Sequence, residues 1–349
     1  MRTAPIFSLP LLLLVADAHA QGYKAVKDWI GGCDNTRHCT AIGLAPEDAE
    51  SYALLHFERG PAADDGVRSI RVRVDPEISR ENFWVLQADD AELLQFNDRH
   101  LVAAESGPGI DILIEDSKEL EALMGAMRSA DSLTLVGDGG PVGSISLAGA
   151  SAIMLWIDEQ QGRLGTTTAL VRRGDKSPQG VARVAPLSRL RSVAVEPLGP
   201  EDAVAVGASV RADLPGDTCE PLDPDTSMRD EAWSADERTL VKLICYRGAY
   251  NFGSSWFLVD SKAATPLTFP IPAGDRGAGI DTTTDLVNAE LAANGSLSSF
   301  SKGRGIGDCG STGQWRWNGQ AFQLARYALM GDCRGVTPDL WPVLWRSAE

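Results

Sequence analysis

The residues whose types and spacing could do chemistry gather near the C-terminus, in Lys302-Gly303-Arg304-Gly305-Ile306-Gly307-Asp308-Cys309-Gly310. Repeated glycines let successive backbone N–H groups converge, and Lys302 and Arg304 add positive charge, which is the composition of an anion-binding nest. The competing account is a tight turn pinned by a disulfide, with Asp308 pairing Arg304. Lys302, Arg304 and Asp308 are therefore the candidate binding residues. No residue is assigned a catalytic role.

Other matches to known chemistry lack their context. Gly305-x-Gly307-x-x-Gly310 fits the pattern of a dinucleotide site, which needs a strand before it and a helix after it. Here a strand-like run at Trp315 follows. Ser299-x-x-Lys302 fits the S-x-x-K of penicillin-recognising enzymes, whose serine opens a helix, but these flanks are Gly-rich and strand-like. Asp223-Pro224-Asp225-Thr226-Ser227 has the acidity of a calcium loop without the glycine at the sixth position or the closing glutamate. No G-x-S-x-G, H-E-x-x-H or Walker A run occurs. His38, His56 and His100 are not spaced as zinc ligands. No cofactor or metal is expected.

These residues must be positioned by β structure. Asn318-Gly319 lies between Gln314-Trp315-Arg316-Trp317 and Gln320-Ala321-Phe322-Gln323-Leu324, which predicts a hairpin with a type I′ turn. Trp315 and Trp317 share one face of their strand, as core or as a small exposed aromatic patch. Residues 240–245 and 255–259 read as paired strands. In the N-terminal half, residues 52–57, 69–74, 83–86, 109–114 and 134–136 read as strands. Asp116 and Glu119 form a capping box ahead of Leu120, Leu123, Met124 and Met127, the signature of a helix. A second helix is expected from near Ser146 to Gly162, burying Ile153, Trp156 and Ile157, with the polar run 159–166 as its C-cap. A strand is expected over 166–172.

The fold class that results is mainly β with a few helices (α+β). Two β-rich domains of antiparallel sheet, residues 21–173 and 204–349, are joined by a connection at 174–203 that carries Pro178, Pro186, Pro197 and Pro200.

Forty-eight acidic against 32 basic side chains leave a net charge of −16. That excludes nucleic acid, whose phosphates need clustered Lys and Arg, and favours a basic protein partner. Arg2, the apolar run 6–16 and Ala18-His19-Ala20 form a secretory signal peptide, cleaved after Ala20. No later stretch approaches the roughly 20 apolar residues of a spanning helix, so no transmembrane segment is expected after cleavage. Six cysteines allow 15 pairings. Proximity favours Cys33–Cys39, Cys219–Cys245 and Cys309–Cys333, and Asp34-Asn35 supplies turn chemistry for the shortest loop. Zinc is the rival, but no C-x-x-C pair exists.

Several motifs, in order, resemble one family. They are Trp29-x-x-x-Cys33-Asp34-Asn35 with Cys39-Thr40-Ala41, the 158–166 run Asp-Glu-Gln-Gln-Gly-Arg-Leu-Gly-Thr, Cys245-Tyr246-Arg247-Gly248-Ala249-Tyr250-Asn251, the glycine run 302–310, and Trp315-Arg316-Trp317-Asn318-Gly319. The set resembles the bacterial domain-of-unknown-function 1176 family over the whole mature chain. The opening motif is also similar to that of the invasion-associated locus B proteins. The resemblance implies an exported protein of Gram-negative bacteria and implies no reaction. The expected function is a periplasmic, disulfide-stapled binding protein of the envelope that takes a small anionic ligand or acts as inhibitor or adaptor for a basic envelope protein. The alternative is an envelope hydrolase with an unrecognised carboxylate site.

Overall fold

The computed structural model describes residues 22–49, 53–74, 84–105, 110–181, 183–184, 186–215, 219, 228–273 and 279–348. The expected signal peptide and the acidic run 223–227 lie outside the described residues. The N-terminal strands are β1 (Gly22–Val26), β2 (Trp29–Cys33), β3 (Cys39–Leu44), β4 (Ala53–Arg59), β5 (Val67–Val74), β6 (Trp84–Ala88), β7 (Ala91–Phe96), β8 (Leu101–Ala103), β9 (Ile110–Ile114), β10 (Ser132–Gly137) and β11 (Gly140–Ser146). Two helices accompany them, α1 (Ser117–Ser129) and α2 (Ala150–Gln160). The strands pair antiparallel into a seven-stranded sheet, β1-β2-β3-β4-β5-β9-β8, and a four-stranded sheet, β11-β10-β6-β7.

Every residue of β2 and β3 is buried, and the two-residue period of a strand explains how both faces are covered. Trp29, Ala41, Leu55, Phe57, Ile70, Val72 and Ile112 pack against the second sheet and the helices. On the opposite face, Ile30, Ile42, Leu44 and Leu54 pack against Ala328, Met330, Leu340, Trp341 and Val343 from the C-terminal end of the chain.

The C-terminal part contributes β12 (Glu196–Pro197), α3 (Pro200–Ala212), β13 (Glu231–Ala235), β14 (Arg238–Arg247), β15 (Phe252–Val259), β16 (Ala264–Pro266), β17 (Phe269–Pro272), β18 (Ile280–Thr283), β19 (Asp285–Val287), β20 (Glu290–Leu291), β21 (Ser296–Lys302), β22 (Gly310–Trp317), β23 (Phe322–Met330) and β24 (Val343–Arg346). One antiparallel sheet runs β12-β13-β14-β15-β16 with β19 also on β15, and another runs β20 to β24 in chain order. Aromatic rings fill the space between them. Trp233 stacks on Trp256 at 5.6 Å, and Phe269 meets Trp315 edge-on at 5.8 Å. Trp315 and Trp317 are each 1% exposed, so they are core and form no surface patch.

The mainly β class with few helices and antiparallel sheets is thus observed. The three disulfides pair as proximity favours, Cys33–Cys39, Cys219–Cys245 and Cys309–Cys333. No helix among the described residues is long and apolar enough to cross a membrane.

Four local expectations are corrected. The second helix begins at Ala150, because residues through Ser146 belong to β11 and Gly149 turns the chain at φ +108. Residues 166–172 form no strand, since the Asp158 carboxylate takes the N–H groups of Leu170 and Val171. The expected Pro-rich connection runs into α3, where Pro200 stands in the first turn with Glu201 and Asp202, a favoured helix start. The β22–β23 hairpin forms, but Trp317 pairs with Phe322 and leaves a four-residue loop. Only Gly319 has positive φ there, and Asn318 Oδ1 accepts from the N–H groups of Gln320 and Ala321. That geometry is not type I′.

Candidate functional site

The glycine run joins β21 to β22, with Lys302 opposite Gly310. The Gly303 N–H donates to the Cys309 carbonyl at 2.8 Å, and the Gly307 N–H to that of Arg304 at 2.9 Å. Arg304 grips Asp308 through Nε–Oδ1 at 2.7 Å and Nη2–Oδ2 at 2.5 Å. Asp308 is buried, and its Oδ2 also accepts from the Gly335 N–H at 2.6 Å. Burial works against its charge, yet the Arg304 guanidinium and the Gly335 N–H hold its carboxyl below the ordinary range. Cys309 ties the loop to Cys333. Gly310 sits at φ +126, and a Cβ there would come within 1.9 Å of the Ser301 carbonyl oxygen. The run is therefore built as a pinned turn, in which Arg304 and Asp308 satisfy each other.

Lys302 goes elsewhere. Its Nζ lies 5.5 Å from the Phe300 ring centroid and lines a cleft of about 700 Å³ between the two C-terminal sheets. Lys242, Ile244, Phe252 and Glu290 line the same cleft. Lys242 pairs with Glu231 at 3.3 Å, whereas Lys302 meets no carboxylate among the described residues. Asn251 fixes the backbone of Lys302 from both sides, donating to its carbonyl at 2.8 Å and accepting its N–H at 3.2 Å. The Tyr250 hydroxyl donates to the Gly303 carbonyl at 3.3 Å. The motifs at 245–251 and 302–310, distant in sequence, thus form one wall. Ser299 Oγ donates to the Val287 carbonyl at 2.8 Å from within a strand, a setting unlike that of an S-x-x-K nucleophile.

A second cleft, of about 680 Å³, was not visible in the sequence. Its floor is β22–β24, and Ser192 and Glu58 stand at its sides. Arg316, Arg326 and Arg346 line it, one from each of three neighbouring strands. The opening Cys-Asp-Asn motif abuts this cleft. Asp34 is fully buried, accepts from the Thr36 and His38 N–H groups, and pairs with Arg346 Nε. The Asn35 amide bonds both the N–H and the carbonyl of Arg346, at 2.9 and 3.0 Å.

The 158–166 motif builds no cleft. Asp158, Gln161 and Arg163 are fully buried. Gln161 Nε2 donates to the carbonyls of Arg37, Arg59 and Gly60. Arg163 donates to those of Gly60, Ala62 and Ala63. Among the described residues no group of His, Cys, Asp and Glu is arranged to hold a metal ion.

The chain is thus an antiparallel, disulfide-linked β protein in which the 245–251 and 302–310 motifs form the wall of one cleft and Cys33-Asp34-Asn35 abuts another. It belongs to the family described as "Protein of unknown function (DUF1176)", which matches residues 23–348. A similar curated protein is "Uncharacterized protein YpfG" of Escherichia coli (strain K12), 29% identical over 365 residues that span 97% of this chain and 96% of that one. No solved structure matches significantly. These findings agree with the family read from the motifs and lend nothing to the likeness with invasion-associated locus B proteins.

Proposed function

We propose that this chain is exported to the periplasm and serves there as a binding protein, with Lys302 contacting a small anionic ligand in the cleft between the two C-terminal sheets. The observation that carries the reading is Lys302, whose backbone Asn251 fixes at a cleft and whose ammonium, over the Phe300 ring, has no carboxylate partner among the described residues. Arg304 and Asp308 support it by fixing the adjacent loop. Export rests on the signal-like residues 1–20 and on three disulfides, which persist in oxidising compartments.

A hydrolase with paired carboxylates would need one held protonated. Among the described residues, the carboxyls with shifted titration (Glu58, Asp116, Asp260, Asp308 and Asp339) are all pushed down. The division into units 21–173 and 204–349 belongs to this proposal. Each has its own apolar cluster, and they meet at a third.

A thermal-shift screen of the oxidised protein with peptidoglycan fragments and phosphorylated compounds tests the reading. A ligand at 100 times its Kd adds about 2.7 kcal/mol, and Lys302→Ala removes the gain. An equal gain in Lys302→Ala, or none with any anion, rejects it. The charge of −16 favours a second reading, a basic partner such as a cationic lysozyme. Its association must weaken as salt rises, and indifference to salt rejects it.

A further inference from the structure

The second cleft holds a guanidinium with no bonded partner among the described residues. Arg326 and Arg346 are directly paired across β23 and β24, an arrangement in which like charges oppose strand pairing. Arg346 has its counter-charge in the buried Asp34 carboxylate. Arg326 has no bonded acceptor among the described residues, and the Glu58 carboxylate acts on it only from a distance. Glu58, the one carboxylate lining the cleft, is bonded to His38 at 3.1 Å. Burial, together with the neighbouring Arg346 charge, pushes the Arg326 guanidinium below its ordinary range. Gln314 sits opposite Arg326 on β22, and Arg316 brings a further guanidinium to the lining, while the Ser192 and Ser347 hydroxyls are spent on the Asn294 and Leu324 carbonyls.

A fold does not gain stability by half-burying one guanidinium opposite another with no acceptor between them. The arrangement becomes favourable once a multiply charged oxyanion lies there. Guanidinium forks donate in parallel pairs to such oxygens, and three forks around one cleft suit a tetrahedral group with several oxygens better than a two-oxygen, singly charged carboxylate. We infer that this cleft binds a phosphoryl group, set between Arg316, Arg326 and Arg346 where the Cys33-Asp34-Asn35 hairpin meets the C-terminal strand. The site is separate from the Lys302 cleft, and its three guanidinium groups all come from the C-terminal strands β22, β23 and β24.

Inorganic phosphate and pyrophosphate are titrated into the oxidised full protein at constant ionic strength, with chloride and acetate as matched controls, and melting temperature and calorimetric heat are recorded. The phosphoryl anions raise the melting temperature saturably, by about 4 °C at a hundredfold excess over Kd. Arg326→Gln abolishes the rise and, without anion, melts no lower than the unsubstituted protein. Arg316→Gln weakens binding roughly tenfold or more. Lys302→Ala leaves the rise intact, which separates this site from the one proposed above.

An equal rise in Arg326→Gln, or from chloride or acetate, overturns the inference. So does a loss of anion-free stability in Arg326→Gln, because that would show the charge to be compensated already. Vesicles of phosphatidic acid and of phosphatidylcholine distinguish the source. Sedimentation with the first alone, lost in Arg326→Gln, identifies a lipid headgroup, and a response to pyrophosphate without sedimentation identifies a soluble phosphate. If neither occurs, the inference fails.

Discussion

Replacing Asp158 by Ala should be among the most damaging single changes in the N-terminal half. Asp158 is fully buried and Arg59 is 1% exposed. The carboxylate meets Arg59 Nη1 at 2.8 Å, both its oxygens accept from the Leu170 N–H, and Oδ2 also takes the Val171 N–H at 3.0 Å. Removing it leaves one guanidinium and two backbone donors in a dry interior. Breaking a buried pair by deleting one partner costs about 3–5 kcal/mol. The roughly 290 described residues have an unfolding entropy of about 0.6 kcal/mol/K, so the melting temperature should fall by about 5–8 °C. Scanning calorimetry measures it. The double substitution Arg59→Met/Asp158→Leu should recover most of the loss, because it removes both charges and refills the space. If Asp158→Ala costs under about 1 kcal/mol, or the double substitution is simply additive, the pair is not the anchor described and the argument is refuted.

Two other perturbations probe other parts of the fold. Burial holds the His56 imidazole down to about 4 from its ordinary 6.5. The unfolded chain therefore takes up that proton first, and stability present above about pH 6.5 is lost as pH falls towards 4. His56→Gln should flatten the dependence of melting temperature on pH across that window, and an unchanged slope would count against the assignment. Asn35→Ala removes the two amide bonds that hold Arg346, at a cost of about 1–2 kcal/mol. The Arg346 amide should then exchange faster with solvent while Ile112, deep in the first sheet, keeps its protection. Equal protection at Arg346 before and after would mean that strand β24 is held by other contacts.

The parts of this fold that sequence reasoning reached are those with local causes. Trp315 and Trp317 alternate with polar neighbours, and that period places them on one face, which the structure then shows to be core. The Asp116 carboxylate does cap α1 through the N–H groups of Lys118 and Glu119. Even there only half of the expected box forms, since the Glu119 carboxylate lies 3.6 Å from His100 Nε2. The 158–166 run misleads because polar residues are ordinarily exposed, and nothing near it in the chain announces that its acceptors lie about a hundred residues away. Lys302, Arg304 and Asp308 look like one cluster in the sequence, yet the ion pair withdraws two of them and leaves Lys302 to face the cleft. Arg316, Arg326 and Arg346 have no sequence signature as a set. They become neighbours only through the register of three strands, and register is a property of pairing.

The apolar face carried by Ile30, Ile42, Leu44 and Leu54 has a timetable imposed on it. Its cover arrives with Ala328, Trp341 and Val343, and Asn35 finds its partner 311 residues downstream. About 290 residues separate Leu54 from Val343, on the order of 15–60 s of synthesis at about 5–20 residues per second. Throughout that interval the first sheet can pair its strands and close Cys33–Cys39, but it presents a bare aliphatic surface. A chain that stops short of β23 keeps that surface permanently, so loss of β23 and everything after it should be felt first as aggregation of the N-terminal half.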